Sequence, residues 1–205
     1  TTEMLRTPQF YLLWVAYCLG TTAGQMAISQ LVPFARSAVL AAALAAYDVT
    51  VGAVGNAGGR IFSGWLSDSL GRLTTLRIMV LASAIAMPLL FVFRQELLLF
   101  YILVAAVYWC YGTQLSVFAT TSADFYGTRN LGLNYGLLFT AWGTAGILGP
   151  MIAGRVFDAF GDYRYAFYTA GALAVVAFIS LTMAKSTDAA PVSAVASGAP
   201  LKQRA

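Results

Sequence analysis

The residue best suited to bind a ligand in this sequence is an arginine inside a long apolar stretch. Arg60 lies about seven residues, or roughly 10 Å of helix, from the end of that stretch. A cation within a membrane span costs on the order of 2.5–3.5 kcal/mol, so such a residue typically marks an ion or substrate path. Asn56 precedes Arg60 by four residues and shares its helix face. The pair predicts a polar binding site, and the alternative is an arginine that extends to the lipid headgroups.

Other polar side chains within apolar stretches are weaker candidates. Gln25 lies in the first stretch, and Tyr111 and Gln114 lie three residues apart on one helix face of the fourth. Asp48 is a carboxylate inside the second apolar stretch, near the outer end of that stretch. It predicts either a group that takes part in proton coupling or a residue at the water boundary. Direct pairing with Arg60 is not expected, since the two lie roughly 18 Å apart along a helix.

The rest of the composition argues against several classes of chemistry. The sequence has no histidine, and its two cysteines, Cys18 and Cys110, are isolated in apolar runs. We therefore expect no metal site, no cofactor and no disulfide framework. Paired carboxylates and nucleophile–base patterns are absent from the apolar stretches, so we expect no enzyme. The net charge of +4 is too diffuse for a nucleic-acid partner.

The elements that position these residues are predicted to be membrane-spanning helices. The 205 residues are 60% hydrophobic and 10% charged, against roughly 25% charged residues in soluble domains. A helix needs about 20 mostly apolar residues to cross a bilayer. The charges delimit six such stretches, so the predicted fold class is an all-α integral membrane protein. The predicted transmembrane helices lie at about 10–34, 39–66, 73–93, 97–123, 131–156 and 165–184.

The six stretches form two similar halves when the sequence is shifted by 90 residues. The shift places the pattern Gly-x-x-x-Asp-x-x-Gly at 64–71 on the same pattern at 154–161. Three spans per half make the second copy inverted in the membrane, which is a construction of secondary transporters. We predict two inverted three-helix repeats, at about 10–93 and 97–184. The alternative is chance matching between glycine-rich apolar sequences.

The loop after the second stretch predicts a conformational latch made by Gly64, Asp68, Gly71 and Arg72. Glycines near a helix end let a neighbouring backbone approach closely. The carboxylate just beyond can accept hydrogen bonds from the start of the next helix. Asp68 and Arg72 can also form an ion pair that breaks when helices rock. The alternative is a plain helix connector with a solvated charge pair.

Four segments resemble known transporters. Residues 64–72 (GWLSDSLGR) resemble the cytoplasmic loop signature of the major facilitator superfamily in its second-half copy. Three segments resemble the oxalate/formate exchangers of that superfamily and the related monocarboxylate carriers. They are residues 3–14 (EMLRTPQFYLLW), 55–60 (GNAGGR) and 134–143 (NYGLLFTAWG). The resemblance implies a C-terminal six-helix half of a twelve-helix fold, with an N-terminal half missing and a substrate cavity between the halves.

The resemblance also implies an organisation of the chain. Residues 1–9 would be the cytoplasmic end of a central linker, residues 10–184 the six-helix bundle, and residues 185–205 a cytoplasmic tail. The Ala/Ser/Pro composition of the tail predicts disorder. Seven basic residues on one predicted side against four on the other place both termini in the cytoplasm, with the bundle in the inner or plasma membrane.

The resemblance gives the site residues their expected roles. It implies that Arg60 binds the substrate carboxylate, because a guanidinium matches a carboxylate in two parallel hydrogen bonds. The oxalate exchangers of the family have a lysine at the position of Trp142, as a second cation for a second carboxylate. With an indole there, one charge of a dianion would remain uncompensated. We therefore expect formate, lactate or a similar monocarboxylate rather than oxalate, and the alternative for Trp142 is a packing residue.

The predicted function is secondary active transport of small carboxylate anions by alternating access, as an exchanger or a proton symporter. The expected partners are the anion, a proton, the missing six-helix half and the lipid bilayer. Two alternatives are a superfamily transporter of another small organic solute, and a six-helix channel or scaffold subunit.

Overall fold

Six long α-helices make up almost all of the computed structural model, which describes residues 4–37 and 42–184. A short 3-10 helix, Met4–Arg6, comes first. The α-helices are α1 (Pro8–Ser37), α2 (Ala42–Leu70), α3 (Arg72–Val92), α4 (Leu97–Tyr126), α5 (Leu131–Phe160) and α6 (Tyr163–Met183). The predicted all-helical class and the six helices are confirmed over the described residues. The predicted start of the second helix at residue 39 and the tail at 185–205 lie outside them.

Four of the six helices, α3 to α6, are long and apolar enough to cross a membrane by length and composition. Helices α1 and α2 have 30 and 29 residues, which is longer than the roughly 20 residues that a bilayer requires. Their composition is more polar, because α1 carries Thr21, Thr22 and Gln25, and α2 carries Asp48 and Arg60. The prediction of six apolar spans therefore holds for four helices. The two remaining helices carry half of the predicted substrate-binding residues, Gln25, Asn56 and Arg60.

The turn between α2 and α3 differs from the prediction. Gly71 caps α3 with a φ of 87°, and no side chain caps that helix. Positive φ is the region that glycine adopts without steric cost. The prediction that Asp68 accepts hydrogen bonds from the start of α3 is therefore wrong, because its carboxylate pairs with the Arg72 side chain instead. At the start of α6 it is Asp162 that acts as the cap, and its carboxylate accepts a hydrogen bond from the main-chain N–H of Arg164 at 2.8 Å.

The helices pack in pairs around a core of aromatic and aliphatic side chains. Helix α2 packs mainly on α4, α1 packs on α5 and α6, and α3 packs on α4 and α6. Phe34 of α1 is buried against Phe167 of α6, with ring centroids 4.6 Å apart. On the same pair of helices, the Ser180 hydroxyl donates a hydrogen bond to the main-chain oxygen of Leu12 at 2.8 Å. Such contacts fix the position of α1, which contributes to the candidate site.

Glycines bring α2 and α4 into main-chain contact. A Cβ at Gly55 would collide with the carbonyl oxygen of Ala105, and one at Gly59 would collide with the main chain of Trp109. These two glycines therefore allow the backbones of α2 and α4 to pack closely. Gly64 behaves differently, since a Cβ there would meet no described atom within 4 Å. The close approach predicted at Gly64 is therefore not found in the described part of the chain.

Candidate anion-binding site

The guanidinium of Arg60 is exposed and is held by its own helix. Its Nε donates a hydrogen bond to Oδ1 of Asn56 at 2.9 Å. The two residues share a face of α2, as their spacing predicts. Asn56 is fixed in turn by α4, because its main-chain and side-chain oxygens lie directly over Gly112 and leave no room for a Cβ there. Among the described side chains, none forms an ion pair with Arg60 or hydrogen-bonds to its two Nη atoms.

The charge of Arg60 acts on three tyrosines that come from three other helices. It acts electrostatically on the hydroxyls of Tyr17 of α1, Tyr111 of α4 and Tyr135 of α5. The Tyr17 and Tyr135 hydroxyls lie 3.4 Å apart. Arg60 therefore lies within electrostatic range of tyrosine hydroxyls from α1, α4 and α5.

Three of the predicted residues form one hydrogen-bonded group. The hydroxyl of Tyr111 accepts a hydrogen bond from Nε2 of Gln25 and another from Nε1 of Trp142, both at 2.7 Å. Small residues make this possible. Gly24 leaves room for the Tyr111 ring, and Gly149 of α5 leaves room for Gln25. Tyr111 is only 6% exposed, so it positions Gln25 and Trp142, which are half-buried.

An aromatic wall extends from Trp142 along α5. Its indole stacks on Phe139 with centroids 4.9 Å apart, and Phe139 contacts Tyr135 at 5.4 Å. Tyr17 reaches the wall from α1 and stacks on Phe118 of α4 at 4.2 Å. Tyr17, Tyr135 and Phe139 are not among the residues predicted from the sequence. The spacing of Tyr135, Phe139 and Trp142 by four and three residues is the signal that could have revealed one aromatic helix face.

Gln114 does not join this group. It is 1% exposed, and its Nε2 donates a long hydrogen bond of 3.4 Å to the carbonyl of Cys110. Its side-chain oxygen approaches Gly20 of α1 so closely that a Cβ there would collide with it. The prediction placed Gln114 with Tyr111 on the wall of a cavity, but the structure buries it in the contact between α1 and α4. The small size of Gly20 is the reason, because it opens a space that the amide fills.

The family profile of the Major Facilitator Superfamily matches residues 13–204 of this chain. The chain belongs to the Major Facilitator Superfamily. It is 30% identical to the oxalate:formate antiporter of Oxalobacter formigenes over 181 residues, which cover 88% of the chain and 43% of that protein. It is 30% identical to the MFS-type transporter YhjX of Escherichia coli (strain K12) over 146 residues, or 71% of the chain and 36% of that protein.

A third superfamily relative is the mouse monocarboxylate transporter 14, which is 35% identical over 66 residues. Those residues cover 32% of the chain and 13% of that protein. The chain thus spans less than half the length of each of these three relatives. The resemblance to the oxalate/formate and monocarboxylate families is confirmed, and the relatives are transporters rather than enzymes.

The predicted latch of this superfamily chain is tied to a second helix. Nη1 of Arg72 lies 2.5 Å from a carboxylate oxygen of Asp68, and it also donates a hydrogen bond to the Ser67 hydroxyl. Nε of Arg72 lies 3.2 Å from a carboxylate oxygen of Asp124 at the end of α4. Asp124 was not predicted from the sequence, because it lies 52 residues from Arg72. The arginine at the start of α3 therefore joins a carboxylate near the end of α2 to one near the end of α4.

The latch lies at the end of the bundle where the starts of α1 and α3 meet the ends of α4 and α6, and we call this end the latch face. The hydroxyls of Thr7, just before α1, and Tyr126, at the end of α4, lie 3.5 Å apart. Arg77 near the start of α3 donates hydrogen bonds to the carbonyls of Leu181 and Ala184 at the end of α6. These are the ends that the basic-residue count assigned to one side of the membrane.

Proposed function

We propose that the chain is the C-terminal six-helix half of a secondary transporter for small carboxylate anions, and that Arg60 binds the substrate carboxylate. The observation that carries this proposal is the arrangement of Arg60. Its Nε is occupied by Asn56, while its Nη atoms have no partner among the described residues. A guanidinium held in this way presents two parallel N–H groups to the two oxygens of one carboxylate. The names of two relatives, an oxalate:formate antiporter and a monocarboxylate transporter, support a carboxylate anion as the substrate.

The proposed half is built from two inverted repeats, at about 10–93 and 97–184. The helices have matching lengths, with 30, 29 and 21 residues in α1 to α3 and 30, 30 and 21 in α4 to α6. In the proposed repeats, α1 corresponds to α4, α2 to α5 and α3 to α6. Under this correspondence the contact of α1 with α5 matches the contact of α4 with α2, and the contact of α1 with α6 matches that of α4 with α3. This pattern is what a pseudo-two-fold axis between repeats produces. It supports the repeats independently of the sequence match.

Alternating access follows from this architecture. A second six-helix bundle would cover the open side of the site, and rocking of the two bundles would expose the anion to one side of the membrane and then the other. The bound anion would shift the balance between the two packings through its different affinity for each. We place the latch face and both termini in the cytoplasm, because that face collects the larger share of basic residues.

The proposed substrate has one carboxylate, such as formate or lactate. Arg60 is the cation near the meeting point of α1, α2, α4 and α5, and Trp142 offers an aromatic face and no charge. The indole N–H is already donated to Tyr111. A dianion would therefore keep one charge without a partner in a region of low dielectric. The aromatic wall of Tyr135, Phe139 and Trp142 suits the non-ionised part of a monocarboxylate.

The test is substrate competition in the full-length transporter, reconstituted in lipid vesicles. Uptake of labelled formate and lactate should exceed uptake of oxalate, and Trp142→Lys should raise oxalate binding relative to both because it adds a second cation. Trp142→Phe is the matched control, since it removes the hydrogen bond to Tyr111 without adding charge. Equal oxalate preference in the lysine and phenylalanine variants would contradict the proposed role of Trp142, and absence of carboxylate uptake would contradict the function.

A further inference from the structure

Asp48 of α2 is a buried carboxylate without a hydrogen-bond partner. The residue is 0% exposed, and neither of its carboxylate oxygens has a partner. The sequence left open whether Asp48 lies at the water boundary, and this burial places it away from water. An ionised carboxylate buried without a partner is very costly, whereas the protonated acid is tolerated. This chain covers Asp48 by itself, so a second bundle is not needed to exclude water from it.

Asp48 lies at one end of the contact between α2 and α4, which we call the α2–α4 seam. The seam consists of Gly52, Gly55 and Gly59 of α2 against residues 105–109 of α4. Asp48 precedes Gly52 by four residues and so lies on the same helix face. A Cβ at Gly52 would collide with the ring of Tyr108. Any movement that separates α2 from α4 at this end would therefore open a path for water to Asp48.

The groups that face Asp48 offer no compensating positive charge. It acts electrostatically on the hydroxyls of Tyr101 and Tyr108 of α4, and the adjacent Tyr47 acts on Tyr101. Phenols are neutral near pH 7. Among the side chains that the structure describes, no arginine or lysine acts on Asp48. Nothing in this described environment stabilises the ionised form.

We propose that Asp48 is a proton-binding site that is loaded in the conformation of this structure and releases its proton to water when the α2–α4 seam opens. The inference rests on the proposed transport function. Arg60 lies on the same helix, roughly 18 Å along the axis, so a movement of α2 that opens the seam also moves the anion site. One helix would thus carry the proton and the carboxylate through the same conformational change, which makes transport proton-linked.

Proton binding can be tested without measuring transport. Infrared difference spectra of the full-length transporter in lipid bilayers are recorded during a pH titration. The wild type should show the carbonyl stretching band of a buried protonated carboxylic acid. Asp48→Asn should remove that band, whereas the control Asp158→Asn, at an exposed carboxylate of α5, should leave it in place. A spectrum with no band that depends on Asp48 would overturn the proposal.

Proton release is tested by transport driven by an imposed pH gradient. Wild type and Asp48→Glu should accumulate labelled formate or lactate, and Asp48→Asn should lose this accumulation while it retains exchange of one carboxylate for another. Gradient-driven accumulation by Asp48→Asn at the wild-type level would overturn the coupling and leave the proposed function intact. If no variant moves any carboxylate, the proposed function fails, and the infrared band still decides whether Asp48 holds a proton.

Discussion

At the scale of single residues, the proposed carboxylate binding depends most on the planar shape of the Arg60 guanidinium. Arg60→Lys keeps the charge but replaces the planar fork by a point charge, and it also loses the hydrogen bond that Nε donates to Asn56. Loss of a charge-assisted pair costs about 1.5–3 kcal/mol, which corresponds to roughly one to two decades in affinity. We expect monocarboxylate binding by the full-length transporter, measured by competition, to weaken by that amount.

Arg155→Lys is the matched control for this prediction, since Arg155 is an exposed arginine of α5 away from the group around Tyr111. It should bind monocarboxylates as the wild type does. Wild-type affinity in Arg60→Lys as well would mean that Arg60 is not the residue that recognises the carboxylate.

At the scale of elements, the α2–α4 seam should resist even one added methyl group. In Gly55→Ala the new Cβ meets the main-chain oxygen of Ala105, which cannot turn away as a side chain could. Such overpacking costs about 1–3 kcal/mol, so the thermal midpoint of the detergent-solubilised protein should fall. Gly64→Ala has no neighbour within 4 Å and should gain about 0.5–1 kcal/mol from the better helix propensity of alanine. Equal midpoints for the two variants would refute the close contact.

The latch is a second contact between elements, and its prediction concerns rate. Asp124→Asn would remove the ion pair that ties Arg72 to α4, and Asp68→Asn would remove the pair between the end of α2 and the start of α3. Exposed ion pairs contribute about 0.2–1 kcal/mol, so the exchange rate should change by up to about fivefold, with substrate affinity unchanged. Asp158→Asn, at the corresponding position of the proposed second repeat, is the control. Unchanged rates in both variants, at normal expression, would reduce the latch to a structural connector.

At the scale of the whole molecule, residues 1–205 should insert into a membrane and transport nothing. In the proposed two-half arrangement, a second six-helix bundle closes over the anion on the side where Arg60 is exposed. The measurement is uptake of labelled formate and lactate by vesicles that contain only this chain, beside vesicles that contain the full-length transporter. Uptake by the chain alone, with cross-linking that excludes a homodimer, would contradict the two-half arrangement.

The sequence by itself determined the features that depend on local geometry. The charges that interrupt the apolar stretches marked six helices whose described ends lie within a few residues of the prediction. The four-residue spacing of Asn56 and Arg60 predicted that the two residues share a helix face, and they form a hydrogen bond there. These features are readable because backbone hydrogen bonds fix the helix period, so residues four apart become neighbours whatever surrounds them.

The tertiary structure alone decided which distant residues meet. The Tyr111 hydroxyl joins Gln25, 86 residues away, to Trp142, 31 residues away. Gln114, three residues from Tyr111, is buried elsewhere, and the carboxylate of Asp48 is enclosed instead of lying at the water boundary. The physical reason is that helix packing is set by how closely two backbones approach, and here glycines set that distance. No spacing along one helix reveals which glycine faces which partner on another.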